Sequence, residues 1–183
     1  MGGYSDKAQP YLDAIAEGIF TSAAVRNWLI KGTVAAKQFT DADVLIDEPR
    51  VARWKYKKTK QPFWANQFCG RDARCTCRIP GSAALESDAI FYLRNHQGHI
   101  LAIHLEFKHP KEPFQFGQPE AYPLRAECFL QTWADRSAII EHHCWTTILI
   151  CAEDTLSDSR ISHFQRVITH AEVAEMIAAY PNY

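Results

Sequence analysis

The 183-residue sequence lacks several features that would place it in a specialised class of protein. It has no apolar run near the roughly 20 residues that a membrane-spanning helix needs. Its best apolar run, 147–152, has the length of a buried strand. The N-terminus has no apolar signal-peptide core, Asp6 breaks the myristoylation pattern, and there are no repeats or low-complexity segments. We therefore expect a soluble, cytoplasmic protein without a membrane partner.

The sequence also lacks an excess of charge of either sign. Its 20 basic and 21 acidic residues leave a formal net charge of −1, which taken alone argues against a nucleic-acid partner. The charge is unevenly placed, however, because residues 50–80 carry +8 and the remainder carries −9. With 47% hydrophobic residues the chain can form a core, so we expect one domain over residues 1–183.

The apolar pattern predicts an α/β fold, a single domain with a mixed central β-sheet flanked by helices. Two helical pieces are expected over 10–31, the second capped by Thr21 or Ser22 and ended by Gly32. A later helix is predicted from Pro123 to Trp133, and Thr169 with Glu172 forms the capping box of the last helix. Strands are expected at 51–57, 63–68, 74–79, 88–94, 100–108, 145–152 and 164–168.

Two strongly apolar strands carry the informative charged residues. Glu106 and Lys108 are two positions apart, so they face the same side of one strand. A four-residue loop before that strand would put Asp88 on the other face. A five-residue loop at 95–99, or one bulge, pairs Arg94 with Ile100 and places Asp88 opposite Glu106. Because this register brings the two carboxylates together, we predict the odd-length loop.

The same register places Glu86 opposite Lys108 and brings two carboxylates within reach of one cation. Opposed Cβ atoms lie ~4.5–5.5 Å apart, so Asp88 and Glu106 can share a divalent cation such as Mg²⁺. Such an ion activates a bound water and neutralises charge on a phosphodiester. Lys108 beside it can stabilise added negative charge. His104 shares this face, where a neutral, hydrogen-bonded histidine is favoured over a metal ligand.

Asp88, the apolar strand and Glu106-Phe107-Lys108 resemble the D…ExK signature of the PD-(D/E)XK nuclease superfamily, which includes restriction endonucleases. The resemblance implies a restriction-endonuclease-like αβββαβ core and a nuclease activity that depends on Mg²⁺ or Mn²⁺. Carried over, Asp88 and Glu106 would bind the metal and Lys108 would be the catalytic lysine. Ser87 stands where the signature has proline.

The resemblance implies further residues and a partner. Some members add an acidic ligand from the first helix, for which Glu17 is the candidate, and Glu86 is a second additional acid. Some carry a Gln-x-x-x-Tyr pattern after the lysine strand, and Gln118 and Tyr122 have that spacing. Members often act as dimers, so a homodimer is one expectation.

The +8 segment at 50–80 is predicted to be a basic β-ribbon whose aromatic residues alternate with its charges. This composition suits phosphate contacts combined with base stacking. An ordinary edge strand protected by lysines remains an alternative for any single residue. The predicted nucleic-acid contacts are Arg53, Trp54, Lys55, Tyr56, Lys57, Lys58 and Lys60.

The six cysteines are expected to be reduced thiols, because no export signal accompanies them. The run Cys69-x5-Cys75-x-Cys77 could bind Zn²⁺, with His96 or His99 as a fourth ligand. Its Cys-x-Cys spacing departs from the usual Cys-x2–4-Cys, so a cysteine-bearing ribbon is favoured over zinc. Cys128 and Cys151 are predicted to be small core residues.

The favoured function is a Mg²⁺-dependent nuclease acting on nucleic acid, with DNA favoured over RNA. Two alternatives stay open. One is a non-catalytic nucleic-acid-binding module of the same fold. The other is a zinc-stabilised interaction protein in which the three clustered cysteines matter and the carboxylates do not.

Overall fold

The computed structural model describes residues 7–56, 61–69, 75–84, 86–131 and 139–182. Within these residues six strands form one mixed sheet of order β1-β3-β4-β5-β6, with β2 paired to the first half of β3. The strands are β1 (Asp43–Leu45), β2 (Ala65–Phe68), β3 (Glu86–Arg94), β4 (Ile100–Phe107), β5 (Cys144–Cys151) and β6 (Arg166–Thr169). The β1, β2 and β4 strands run antiparallel to β3, whereas β4, β5 and β6 are parallel.

Helices flank both faces of this sheet, which confirms the predicted α/β class. In the described part of the chain they are α1 (Gln9–Thr21), α2 (Ala23–Ile30), α3 (Asp47–Tyr56), α4 (Gln118–Leu130) and α5 (His170–Met176). The first two and α5 bury their apolar residues on the face that carries Phe91 and Ile103. The opposite face, with Ile90 and Leu149, is covered by α4. None of the described helices combines the length and apolar character needed to cross a membrane.

Several local sequence signals act as predicted. Ser22 accepts a hydrogen bond from the backbone N–H of Val25 and begins α2. Gly32 follows that helix with a φ of +82°, a conformation that glycine adopts without strain. Thr169 and Glu172 form a complete capping box at the start of α5.

The β3–β4 hairpin has the predicted five-residue loop. Arg94 lies opposite Ile100, and the pairing continues without a slip to Ala89 and Leu105. In the loop, Asn95 Oδ1 accepts the backbone N–H groups of residues 97 and 99. This register puts the even-numbered residues of both strands on the α4 face of the sheet.

The predicted basic β-ribbon at 50–80 is wrong at its first strand, and residues 57–60 and 70–74 lie outside the described part of the chain. Residues 47–56 form α3, with Asp47 and Glu48 in the first turn and basic residues in the last, a distribution that complements the helix dipole. The alternation of charged and apolar residues therefore did not mark a strand. Residues 65–68 form a strand as expected but pair with β3, and 75–79 contain no strand.

The predicted start of α4 at Pro123 is also wrong, because the helix begins at Gln118. Pro119 lies in the first turn, where its missing N–H costs nothing. Pro123 lies inside the helix and removes one hydrogen bond to the preceding turn. The earlier start decides the geometry of the site, because Gln118 and Tyr122 both become helical residues.

Candidate active site

The Asp88 carboxylate lies where β3 and β4 separate. The paired part of the two strands ends at Ala89 and Leu105. Beyond it, the backbone N–H of Phe107 donates to Asp88 Oδ2 at 2.8 Å. The carboxylate of Asp88 thus accepts a backbone hydrogen bond just where the pairing of β3 and β4 ends. This contact holds the carboxylate beside Glu106.

Glu106 is buried, with 1% of its surface exposed, and three donors surround its carboxylate. Gln118 Nε2 donates to Oε1 at 2.6 Å, and the Tyr122 hydroxyl donates to Oε2. Lys108 Nζ lies 3.2 Å from Oε1. Since Gln118 and Tyr122 are four residues apart in α4, they project from the same side of the helix. The structure therefore brings the predicted Gln-x-x-x-Tyr pair onto the predicted glutamate.

Tyr122 also links the two acids. Its hydroxyl accepts the backbone N–H of Asp88 at 3.4 Å while it donates to Glu106. Burial raises the pKa of Tyr122 well above its usual value, and the charges of Glu106 and Asp88 raise it further. The phenol consequently stays protonated and acts as a donor to the carboxylate.

Lys108 is 2% exposed and lies between two carboxylates. Besides Glu106, its Nζ contacts Glu112 Oε1 at 3.2 Å. Burial alone would lower the pKa of Lys108, but Glu106 and Glu112 outweigh that effect and the pKa is raised. Lys108 is therefore a charged ammonium group. Glu112 was missed in the sequence because it lies in a proline-bounded loop without a periodic pattern.

Asp88 is half-buried, and its ionised form is disfavoured. Burial raises the pKa of Asp88 well above its usual value, and the charge of Glu106 raises it further. The hydrogen bond from the Phe107 backbone offsets only part of this rise. A cation bound beside both acids would favour the two carboxylate forms together.

The other predicted site residues are placed less favourably. Glu86 accepts a hydrogen bond from Asn66 Nδ2, and its charge adds to the rise in the pKa of Asp88. Glu17 is exposed on α1, the helix that covers the opposite face of the sheet, so the structure does not bring it to the two acids. His104 is fully buried and stacks on Phe129 with ring centroids 5.5 Å apart.

His104 is a core histidine in this structure. Burial lowers its pKa well below the usual value, and His142 and Arg125 lower it further. Its Nδ1 lies 3.4 Å from Ser87 Oγ. Its burial therefore favours the neutral form of the ring.

The predicted nucleic-acid contacts need one correction. Arg53 is only 5% exposed and donates to Gln67 Oε1 at 2.9 Å, so it stabilises the junction of α3 with β2 rather than facing a polyanion. Trp54 and Lys55 are exposed on the same helix. Lys57, Lys58, Lys60 and the side chain of Tyr56 lie outside the described residues.

Four cysteines meet on the α4 face of the sheet. Cys69, Cys75, Cys77 and Cys128 place their sulfur atoms within 4.8 Å of one another, and this cluster could bind a metal such as zinc. The fourth member is Cys128, not His96 or His99. The sequence predicts Cys128 only as a core residue and does not link it to the other three, because it is remote from them in the sequence.

The two proposed histidine ligands lie elsewhere. His96 is exposed in the β3–β4 loop, and His99 Nδ1 contacts Gln38 Nε2 at 2.9 Å.

Comparison of the chain with protein-family models, with curated proteins and with solved structures gives no match.

Proposed function

We propose that this chain is a divalent-metal-dependent nuclease that hydrolyses phosphodiester bonds of nucleic acid, with DNA favoured over RNA. The observation that carries the proposal is the convergence of Asp88, Glu106 and Lys108 where β3 and β4 separate. Two carboxylates and an ammonium group at one point of a sheet suit metal-assisted attack on a phosphodiester. The resemblance to PD-(D/E)XK nucleases assigns the same three residues.

The oxygen atoms of the two acids suit Mg²⁺ or Mn²⁺. Asp88 Oδ1 accepts no hydrogen bond from the described residues, and Glu106 Oε2 accepts one, from Tyr122. Each carboxylate oxygen has two lone pairs, so both acids keep a lone pair for a cation. Oxygen donors of this kind are the ligands that Mg²⁺ prefers. Asp88 and Glu106 are therefore the residues that would hold the ion.

When bound, Mg²⁺ supplies an acidified water and charge neutralisation at the phosphate. The protein residues have separate tasks. Gln118 and Tyr122 orient Glu106, since both hydrogen-bond its carboxylate. Lys108 keeps its positive charge in a buried site, where it can stabilise negative charge that develops on phosphate oxygens.

The charge distribution supports nucleic acid as the substrate class. A nucleic acid needs a positive surface, and the +8 segment at 50–80 is the basic part of an otherwise acidic chain. Within it, Lys55 and Trp54 are exposed on α3 and supply a cation and a stacking surface. The preference for DNA over RNA rests on the resemblance.

A cleavage assay with conservative variants tests this function. Plasmid and single-stranded DNA would be incubated with Mg²⁺ or Mn²⁺ and the wild-type chain, Asp88→Asn, Glu106→Gln or Lys108→Met. We expect each variant to lose at least about 100-fold in rate. Glu175→Gln, which removes an exposed acid on α5, serves as the matched control and should cleave normally.

The assay also separates the alternatives. Metal-dependent cleavage that disappears in the three variants supports the nuclease proposal. Cleavage that persists in Asp88→Asn contradicts it, and so does tight DNA binding without turnover at any metal concentration. The latter result would identify a non-catalytic binding module.

A further inference from the structure

We propose that Cys69, Cys75, Cys77 and Cys128 hold one zinc ion that joins the segment between β2 and β3 to α4. The site is separate from the carboxylates of Asp88 and Glu106. Its three N-terminal ligands lie between β2 and β3 in the sequence, and the fourth lies on α4.

The distances between sulfur atoms fit a single tetrahedral ion. Cys69 Sγ lies 3.5 Å from Cys75 Sγ, 3.3 Å from Cys77 Sγ and 3.7 Å from Cys128 Sγ. Zinc–sulfur bonds of about 2.3 Å place tetrahedral ligands about 3.8 Å apart, close to these values.

Other cysteine chemistry fits less well. A disulfide requires sulfur atoms about 2.05 Å apart, far shorter than these contacts. An iron–sulfur cluster holds its cysteines farther apart, because several iron atoms stand between them. Four thiolates around one ion are typical of zinc sites that stabilise structure rather than catalyse a reaction.

The surroundings suit a closed structural site. Cys69, Cys77 and Cys128 are buried and Cys75 is half-buried, so no position is left open to substrate. Ile90, Tyr92 and Phe129 pack around them. An apolar shell excludes water and strengthens the attraction between thiolates and the ion.

The proposed ion also helps to position the residues of the carboxylate site. The segment that carries Cys75 and Cys77 leads into β3, which carries Asp88, while Cys128 is in the helix that orients Glu106. Next to Cys128 on that helix, Arg125 donates to the backbone carbonyl of Ala84 at 2.7 Å. The ion and Arg125 therefore hold α4, which orients Glu106, against the segment that leads to Asp88. This positioning role rests on the proposed function, whereas the zinc site does not.

Elemental analysis of the purified full-length chain tests the zinc site directly. We expect about one zinc ion per chain in the wild type and a loss of most of it in Cys75→Ser and Cys128→Ser. Cys144→Ser, which alters a half-buried cysteine outside the cluster, is the matched control and should keep its zinc. Thermal unfolding with Mg²⁺ in excess should show that the two cluster variants melt at least about 5 °C lower.

A spectroscopic measurement covers the case in which the cluster variants fail to fold. Replacing the ion with Co²⁺ in the wild-type chain should give the visible absorption bands of a tetrahedral thiolate site. Zinc at one ion per chain with these bands supports the proposal. Absence of metal, iron in place of zinc, or a disulfide within the cluster overturns it.

These readouts do not depend on DNA cleavage. A chain that binds zinc but cleaves neither DNA nor RNA would retain the zinc site and refute the nuclease proposal. A chain that cleaves DNA but binds no zinc would support the nuclease proposal and refute the zinc site.

Discussion

Glu106 is the most constrained carboxylate of the candidate site. Gln118, Tyr122 and Lys108 all contact it, and it is 1% exposed. Such contacts to a metal-binding carboxylate usually affect metal affinity or activity strongly when they are removed. The α4 residues that hold Glu106 should therefore matter for activity although they do not bind metal themselves.

Tyr122→Phe tests the role of these α4 contacts by removing a single oxygen atom. The substitution removes the hydroxyl that donates to Glu106 and accepts from Asp88, while the ring keeps its packing. We expect about a 10- to 100-fold loss in metal affinity or turnover, measured by Mn²⁺ titration of the cleavage rate. Tyr92→Phe removes another buried hydroxyl on β3 and should leave both values unchanged. Equal effects of the two substitutions would contradict the role of Tyr122.

The lowered pKa of His104 predicts how the stability of the fold depends on pH. Its pKa is lowered in the folded state, so below about pH 6.5 the unfolded chain binds a proton that the folded chain does not. Stability is therefore full above that pH and falls as the pH decreases. His104 should contribute a slope of up to about 1.4 kcal/mol per pH unit.

Urea unfolding at pH 7, 6 and 5 measures that contribution. His104→Gln should flatten the dependence of the unfolding free energy on pH, whatever its effect on stability at pH 7. His96→Gln, in the exposed hairpin loop, should leave the slope as in the wild type. An unchanged slope in His104→Gln would show that His104 is not the buried neutral group described here.

At the scale of elements, α4 is attached to the start of β3 by Arg125. Its guanidinium is buried and donates to the carbonyls of Ala84 and Glu86. Arg125→Met keeps much of the volume but removes the donor to both carbonyls, and a buried acceptor that is left unsatisfied costs about 1–3 kcal/mol. We expect a loss of roughly 3 kcal/mol in chemical unfolding. Leu124→Ala, on the exposed side of α4, should change stability by less than about 0.5 kcal/mol.

The elements also differ in how far their sequences predict them. The β3–β4 register could be predicted, because only the odd-length loop places Asp88 on the same sheet face as Glu106. The sequence predicts a strand at 51–57, because charged and apolar residues alternate there. The structure instead has the helix α3, which packs against β2 through Arg53. The sequence places the start of α4 too late, because Pro123 suits a first helical position but is tolerated inside the helix.

At the scale of the whole molecule, contacts between residues far apart in the sequence form the parts of the sites that could not be predicted. The carboxylates and lysine of the site lie on one hairpin and could be predicted from it. The cysteine cluster could not, since Cys128 joins it only after α4 packs on the sheet. Glu112 reaches Lys108 through a loop whose path has no sequence pattern.

The uneven charge of the chain predicts how DNA binding depends on salt. Lys55 is exposed, so Lys55→Gln should weaken binding of every DNA sequence and reduce the log–log salt slope by about 1. Arg53→Gln should lower stability, because Arg53 is buried against Gln67. Fluorescence anisotropy at several salt concentrations measures the slope. A change as large in Lys37→Gln, elsewhere on the surface, would place the interface outside α3.

The most direct test of the account is where a divalent cation binds. A crystal of the wild-type chain soaked in Mn²⁺ should show an anomalous peak between Asp88 and Glu106, and the peak should vanish in Asp88→Asn. A structure in which Mn²⁺ binds only elsewhere, or in which the peak survives Asp88→Asn, would contradict the assignment of these two carboxylates as the metal site of a nuclease.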